Sequence, residues 1–327
     1  MLSIYRLTKY AVTALLFLLA TAAAAPAQDW PGKIVRIVVP FGAGSTPDIV
    51  ARLVADGLQQ KYPASSFVVE NKPGASGNLG TDAVAKAAPD GSTLGVSIGG
   101  PLPINTLFFL KLPYGPHKDI VPVTQLVTQP SVLAVNPSLG VNSVAELVSL
   151  LKKNPGKYNF ASIGNGSLSH LAMEAIAIKA GTQIVHLPYT SSPHAVTAVI
   201  RNDAQMACLP SIAVTPQAKA GAIRILAVST ARRSPYLPDV PTLQESGIDV
   251  EADAWNGLIA PGGTPKSIAE KISKDVSGII RQPDVRERLA TQLMEPIGSS
   301  PDELRARIDA EIARWAPVIK AANVKIN

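Results

Sequence analysis

The sequence predicts an α/β fold in which largely parallel sheets are flanked by helices. Short apolar runs rich in β-branched residues alternate with longer stretches whose apolar residues recur every three or four positions. Glycine, proline or serine follows most of the apolar runs. This alternation is typical of chains in which helices connect the strands, and loops at the carboxyl ends of the strands then form a crevice.

The predicted elements follow this alternation along the whole chain. Strands are predicted at 34–39, 67–69, 93–98, 132–135, 184–187, 205–208 and 223–228. Helices are predicted at 49–60, 144–153, 171–179, 195–201, 265–280, 283–294 and 301–320. Capping boxes are expected at Ser143 with Glu146 and at Thr242 with Glu245. Thr46 and Ser192, each before a proline, are the expected N-caps of two helices. The proline-rich run 234–241 is expected to cross between two lobes.

The first 27 residues have the features of a secretory signal peptide. Arg6 and Lys9 precede an apolar stretch at 11–25, and Ala25-Pro26-Ala27 provides a small-residue cleavage site. The apolar stretch is about 15 residues long, shorter than the roughly 20 that a membrane-spanning helix needs. Cleavage after Ala27 leaves 300 residues with a net charge of +4, enough chain for two domains.

Composition argues against several classes of function. The basic residues are scattered and aromatic residues are few, so no nucleic-acid surface is expected. The four histidines and the single cysteine lack the spacing of a zinc site, and the glycine-rich turns lack the lysine of a phosphate-binding loop. We therefore expect neither a metal nor a cofactor.

The first candidate binding segment is the turn after the first predicted strand, residues 41–48, which we call the first turn. Its glycines allow a tight turn, so that unpaired amides of the next helix can bind an anion. A rival interpretation is a dinucleotide-binding fingerprint, with Gly42-Ala43-Gly44 as its start and Glu70 as the ribose-binding acid. Pro47 stands where that fingerprint needs its third glycine. A plain structural turn is the remaining alternative.

A second glycine- and hydroxyl-rich turn spans residues 162–170 and repeats this arrangement before the next predicted helix; we call it the second turn. Ser167 with His170 also raises the possibility of a hydrolase. The sharp Gly-x-Ser-x-Gly elbow is absent, and no acid is placed to orient the histidine, so binding is the favoured interpretation. Residues 189–192, the third turn, again combine hydroxyls with a helix start, although an ordinary helix cap would have the same sequence.

Taken in order, these turns resemble those of one family, the Bug-type receptors. These are the extracytoplasmic solute-binding components of tripartite tricarboxylate transporters. The phrases that carry the resemblance lie at 37–41, 69–78, 88–91, 134–138, 162–167, 186–189, 233–235, 238–242 and 260–265. The resemblance implies a two-lobed type II periplasmic binding protein, each lobe a mixed, mostly parallel sheet flanked by helices. It implies that 28–125 with 231–327 form lobe one and that 126–230 form lobe two.

The resemblance also implies a set of ligand-binding residues. They are Phe41, Gly42, Ala43, Gly44, Ser45, Thr46, Asp48, Ser97, Ser162, Gly164, Asn165, Gly166, Ser167, His170, Tyr189, Thr190, Ser191, Gln205 and Ser211. Two departures from the family pattern stand out. Relatives commonly have a Gly-Gly-Thr-Asp turn where this chain has Gly44 to Asp48, and many have an aspartate where this chain has Gln205.

The function expected from these observations is a non-enzymatic, monomeric periplasmic receptor. It would capture a small carboxylate between its lobes and deliver it to a two-component membrane permease. The ligand could be a citrate-like acid, a dicarboxylate or an aromatic acid. A receptor of the same fold that reports to a signalling system, and a secreted hydrolase using Ser167 and His170, remain as alternatives.

Overall fold

The computed structural model describes residues 30–109 and 111–322 of the 327-residue chain. The predicted signal peptide at 1–27 lies outside these residues. The strands are β1 Ile34–Val39, β2 Ser66–Asn71, β3 Thr93–Ile98, β4 Ile120–Gln129, β5 Ser131–Val135, β6 Asn159–Ser162, β7 Val185–Pro188, β8 Met206–Pro210, β9 Arg224–Val228, β10 Ala254–Pro261 and β11 Glu295–Pro296.

Ten α-helices lie between these strands or follow them in the described part of the chain. They are α1 Thr46–Lys61, α2 Asn78–Ala85, α3 Asn105–Phe108, α4 Val144–Lys153, α5 Leu168–Ala180, α6 Ser192–Arg201, α7 Ser211–Lys219, α8 Lys266–Ile280, α9 Pro283–Ala290 and α10 Pro301–Ala321. Within residues 30–109 and 111–322, none is both long and apolar enough to cross a bilayer.

The first sheet has the order β11-β4-β10-β3-β1-β2. β1 pairs in parallel with both β2 and β3, and its side chains Val35, Ile37 and Val39 are fully buried. Such a β-branched run is typical of a central strand covered by helices. α1 and α8 cover this face, where Val54 and Val276 join the same core as Ile37. This packing fixes where α1 begins relative to the end of β1.

The second sheet has the order β7-β6-β8-β5-β9. β6 pairs in parallel with β7 and β8, whereas β5 runs antiparallel to both of its neighbours. α4 and α5 pack on one face, and α6 and α7 pack on the other. α5 follows β6 directly, so its N-terminus lies at the carboxyl edge of this sheet.

The crossings between the sheets bring two particular edges together. β4 runs in the same direction as β1, because β10 is antiparallel to both β3 and β4. The chain therefore leaves the first sheet at the edge where β1 ends. Only Pro130 separates β4 from β5, and Ser131 at the start of β5 pairs with Pro210 at the end of β8. The carboxyl edges of β1 and β6 consequently flank the same crossing.

Two long strands of the first sheet, β4 and β10, are absent from the sequence prediction. β4 carries Pro122, Thr124 and Gln125 among its apolar residues, which breaks both the continuous and the alternating apolar pattern. The ladder accommodates these residues through register shifts near Asn256 and Leu258 of β10. One predicted helix also ends early: α9 stops at Ala290, not at Met294, because the chain turns there through Leu293, whose φ is +53°.

The proline-rich run 234–241 does not cross between the sheets, which corrects the prediction. Leu237 and Val240 pack against the core of the second sheet, and Leu243 is hydrogen-bonded to Val228 of β9. The chain returns to the first sheet only at β10. α10 also spans the two halves, because Leu304 packs on the first sheet and Trp315 enters the core of the second. The limits of the two lobes stay a prediction, and the expected boundary at 125/126 falls within β4.

Candidate functional site

The first turn connects β1 to α1 at the edge of the first sheet that flanks the crossing. Gly42, Ala43 and Gly44 are exposed, and Gly44 has a φ of +78°, which favours glycine. Ser45, not Thr46, is the N-cap residue, and its side chain makes no capping bond. The helix ladder starts with the bond from the Ile49 N–H to Ser45 O, at 3.0 Å. The amides before Ile49 thus have no acceptor within the helix.

Asp48 holds this turn in shape and is only 2% exposed. Its Oδ2 accepts a bond from the Gly44 N–H at 2.9 Å, and both carboxylate oxygens accept bonds from Arg52. Asn71 Nδ2 donates to Asp48 Oδ1 and to Phe41 O, each at 2.9 Å. Burial raises the pKa of Asp48, but the bonds from Arg52, Gly44 and Asn71 outweigh burial and hold the pKa below its ordinary value. Asp48 is therefore a positioning residue of the first turn.

The second turn connects β6 to α5 and closes on itself through serine hydroxyls. Ser162 Oγ accepts a bond from the Gly164 N–H at 3.1 Å, and Ser167 Oγ donates to Gly164 O at 2.7 Å. Ser167 is the N-cap of α5 and accepts a bond from the His170 N–H. Gly164 and Gly166 have φ values of +126° and +72°. Asn165 between them is exposed, so the backbone at the tip of the turn is accessible.

The stacked rings of Phe160, His186 and His170 pack against the second turn and contact its residues. The ring centroids of Phe160 and His186 lie 4.8 Å apart, and those of His186 and His170 lie 3.7 Å apart. His186 Nε2 is 2.6 Å from Ser162 Oγ, and His170 Nδ1 accepts a bond from the Gly166 N–H at 3.1 Å. Burial, with a smaller contribution from His170, lowers the pKa of His186 to about 4. His186 is therefore neutral at pH 7.

These contacts leave little support for the hydrolase alternative. Ser167 Oγ is engaged by Gly164 O and by Ser169 Oγ at 2.9 Å. His170 Nδ1 is occupied by the Gly166 amide, and the described contacts join Ser167 to His170 only through the backbone N–H of His170. A nucleophile needs its base within hydrogen-bond reach of the hydroxyl. The arrangement instead stabilises a helix cap.

The third turn lies beside the second. Tyr189 N–H donates to Ser162 O at 2.9 Å, and Tyr189 O lies 3.9 Å from where a Cβ on Gly164 would stand. Thr190 Oγ1 is 2.9 Å from His194 Nδ1, and Ser191, one residue before the expected cap, accepts a bond from the His194 N–H. Hydroxyls and helix amides from both turns therefore share one end of the second sheet.

Ser97 and Ser211 occupy corresponding places on the two sheets. Ser97 lies near the carboxyl end of β3, and Ser211 follows β8 as the first residue of α7. Both residues are buried, and neither hydroxyl has a hydrogen-bond partner among the described residues. Their places at the carboxyl ends of β3 and β8 put both residues at the edges that flank the crossing.

Gln205 does not join this group, which corrects the prediction that it faces the ligand. It precedes β8, whose carboxyl end lies beside Ser211, so the length of the strand, about 16 Å, separates the two residues. Gln205 Oε1 accepts a bond from the Asn159 N–H at 2.8 Å, and its Nε2 donates to Asn202 O at 2.8 Å. The side chain therefore stabilises the edge of the second sheet that lies away from the crossing.

Two further positioning residues of these turns were not predicted from the sequence. Asn71 and His186 lie within the phrases that carry the family resemblance, but nothing in their local sequence indicates the contacts with Phe41 and Ser162. A cavity of about 530 Å³ lies elsewhere, lined by α5 and α10 residues such as Lys179, Arg314 and Val318. No cluster of three potential metal ligands is found within residues 30–109 and 111–322.

The chain forms two mixed sheets and crosses between them twice, and helix N-termini lie at the sheet edges beside the crossings. This architecture is that of a two-lobed type II periplasmic binding protein. The chain belongs to the TctC family, described as tripartite tricarboxylate transporter family receptor, whose profile matches residues 50–324. This membership and the structural neighbours below confirm the predicted family and fold class.

Individual relatives extend over nearly the whole chain. BugT of Bordetella pertussis is 33% identical over 315 residues, covering 95% of this chain and 96% of BugT. The structure of an R. palustris protein with adipate is 34% identical, covers 91% of this chain and 99% of that one, and has a TM-score of 0.78. MatC from Rhodopseudomonas palustris with bound malate is 31% identical, covers 89% and 100%, and has a TM-score of 0.73.

Proposed function

We propose that this protein is a periplasmic receptor that captures a small carboxylate between its lobes and delivers it to the permease of a tripartite tricarboxylate transporter. One observation carries the proposal. The first and second turns both present helix N-termini at the two sheet edges that flank the same crossing. A ligand held by both turns would bridge the lobes.

The chemistry of the two turns suits an anion. Unpaired amides at a helix N-terminus, together with the helix dipole, form a favourable site for a carboxylate. Neither turn contains a lysine or arginine, and nearby Arg52 is engaged by Asp48. Affinity would therefore come from amide geometry and from closure, because a ligand that binds the closed state better shifts the population toward it.

The ligand class is a small di- or tricarboxylate. Two carboxylates on one molecule match two amide-lined turns on opposite lobes. The proteins with adipate and malate, related to this chain at 34% and 31% identity, support the same class. Residues 1–27 would export the protein, after which the free receptor would carry its ligand to the membrane.

Two matched substitutions, each of which introduces one negative charge, test the proposed binding site. Ala43 is exposed in the first turn, and Ala64 is exposed in the loop between α1 and β2, at the opposite edge of the sheet. Calorimetric titration should find that the mature protein binds at least one of malate, succinate, adipate and citrate. Ala43→Glu should weaken that binding about tenfold or more by repulsion, and Ala64→Glu should leave it unchanged. Equal affinities in both variants would contradict the proposed site.

Delivery to the permease needs a second experiment, in cells. Deletion of the gene for this chain should abolish high-affinity uptake of the radiolabelled ligand, and the wild-type gene should restore it. A gene carrying Ala43→Glu should restore it poorly, in proportion to the lost affinity. Uptake that is normal in the deletion strain would contradict a role in transport.

A further inference from the structure

Asn256 lies near the crossing and is the third residue of β10. It pairs with Ile98 at the carboxyl end of β3 and with Val127 near the end of β4. Gly95 of β3 lies opposite Val38 of β1 on one side and opposite Ile259 of β10 on the other. Asn256 lies three residues closer to the crossing than Ile259. It is therefore located at the same edge of the sheet as the start of the first turn.

The strand pairing also defines the face that carries the Asn256 side chain. β10 pairs with β3 in regular register, so alternate residues share a face. Leu258 and Ala260 lie in the core beneath α1 and α8, whereas Trp255 and Ile259 lie in the core on the other face. Asn256 therefore shares its face with Leu258 and with α1, whose N-terminus lies within the first turn.

The amide of Asn256 has an unusual environment. The residue is 2% exposed, and its Oδ1 has no hydrogen-bond partner among the described residues. Buried polar groups in folded proteins nearly always have partners, and an unpaired one destabilises the fold. A buried amide oxygen without a partner at this edge is suited to accept a hydrogen bond from a ligand.

The location of other unpaired atoms supports this interpretation. Eight buried side-chain atoms of the described residues lack a partner. Four of them, on Ser45, Ser97, Ser211 and Asn256, lie at the two edges that flank the crossing. By contrast, the amides of Asn105 and Asn136, buried elsewhere, donate hydrogen bonds to protein acceptors. Half of the unsatisfied buried side-chain atoms of the described residues therefore lie at these two edges.

We propose that Asn256 is a specificity residue that hydrogen-bonds a hydroxyl group of the ligand, so that this receptor prefers hydroxycarboxylates. The inference rests on the proposed function and deepens it. An ionised carboxylate has no proton to donate, so it cannot satisfy an unpaired amide oxygen. A hydroxyl can donate to Oδ1 and accept from Nδ2. An ammonium group would favour a carboxylate partner, and Asp48, the buried acid of the first turn, is already engaged by Arg52 and Asn71.

The test uses two pairs of ligands that differ by one hydroxyl, malate with succinate and citrate with tricarballylate. Calorimetric titration of the mature wild-type protein should show about tenfold tighter binding of the hydroxylated member of the pair that fits the site. In Asn256→Ala this preference should fall below about twofold, because only the hydroxylated ligand loses affinity. Asn136→Ala, which removes a buried but satisfied amide from the second sheet, should retain the preference.

The possible outcomes separate this inference from the proposed function. Wild-type protein that binds carboxylates without favouring the hydroxylated member overturns the role of Asn256 and leaves the receptor function intact. A preference that survives in Asn256→Ala has the same consequence. If Asn256→Ala fails to fold, Asn256→Ser gives the same comparison with a shorter polar side chain. Wild-type protein that binds no carboxylate overturns both proposals.

Discussion

The imidazole rings of His170 and His186 lie face to face behind the second turn, with their centroids 3.7 Å apart. Each ring holds a different part of that turn: His186 contacts the Ser162 hydroxyl, and His170 accepts the Gly166 amide. Burial of the His186 ring, with a smaller contribution from the neighbouring His170, disfavours the protonated form of His186 and lowers its pKa. The second turn therefore keeps its shape best when His186 is neutral.

Acid should destabilise the protein through His186. Its pKa is about 4 in the folded protein, against an ordinary value of 6.5. Between pH 6.5 and 4 the unfolded chain binds more protons, so the contribution of His186 to the free energy of unfolding falls as pH drops through this window. Urea unfolding at several pH values should show a shallower acid slope in His186→Gln than in wild type. Equal slopes in the two proteins would contradict the role of His186.

Glu311 should lower the free energy of unfolding as pH rises, whereas His186 should lower it as pH falls. It is 4% exposed, accepts a bond from Trp255 Nε1 at 2.6 Å and contacts Arg307 at 3.1 Å. Burial raises its pKa to about 7, although Arg307 opposes this shift. Its stabilising contribution is full below pH 4.5 and is lost as pH rises through 7.

The Glu311→Gln variant isolates this effect. The amide keeps an acceptor for Trp255 but does not titrate. Relative to wild type, its free energy of unfolding should therefore rise between pH 4.5 and 7, by no more than about 3 kcal/mol. Urea unfolding at pH 4.5 and pH 8 measures the change. A difference between the two proteins that is constant with pH would contradict the prediction.

Asp48→Asn should damage the first turn and ligand binding together. The substitution removes the charge that accepts bonds from Gly44, Arg52 and Asn71, and bonds to charged groups contribute about 1.5–3 kcal/mol each. We expect a loss of about 2–4 kcal/mol of stability and weaker carboxylate binding. Asp56→Asn changes an exposed carboxylate on the same helix and should alter stability by less than about 0.5 kcal/mol. Similar effects from the two substitutions would show that Asp48 has no special role.

Ser167→Ala distinguishes a helix cap from a catalytic nucleophile. Loss of the cap should cost about 1 kcal/mol, as should loss of the Ser143 cap of α4 in Ser143→Ala. Only Ser167→Ala should also weaken carboxylate binding, because Ser167 shapes the second turn. Chemical denaturation and calorimetry measure the two effects. Ester hydrolysis by wild type that disappears in Ser167→Ala would instead support the hydrolase.

The sequence predicted those elements whose pattern is local. β1 is a continuous apolar strand, and α4 has a Ser143 cap that accepts the Glu146 amide and an apolar stripe, so both were found with the correct bounds. β10 has no such signal, because Asn256 and Gly257 interrupt its apolar run, and Asn256 could not be recognised without the strand pairing. Gln205 was misplaced because it precedes β8, whereas the sheet edge that flanks the crossing lies at the other end of that strand. The His170–His186 stack depends on a contact between separate elements, which no local pattern contains.

The most direct test of the central claim follows backbone amides while a carboxylate binds. In ¹H–¹⁵N NMR spectra of the mature protein titrated with malate or adipate, amide signals of Thr46, Asp48, Leu168 and Ser169 should shift together and saturate at one ligand per chain. This result would show that both turns hold one ligand between the lobes. Shifts confined to one turn, or centred on the cavity between α5 and α10, would contradict the account.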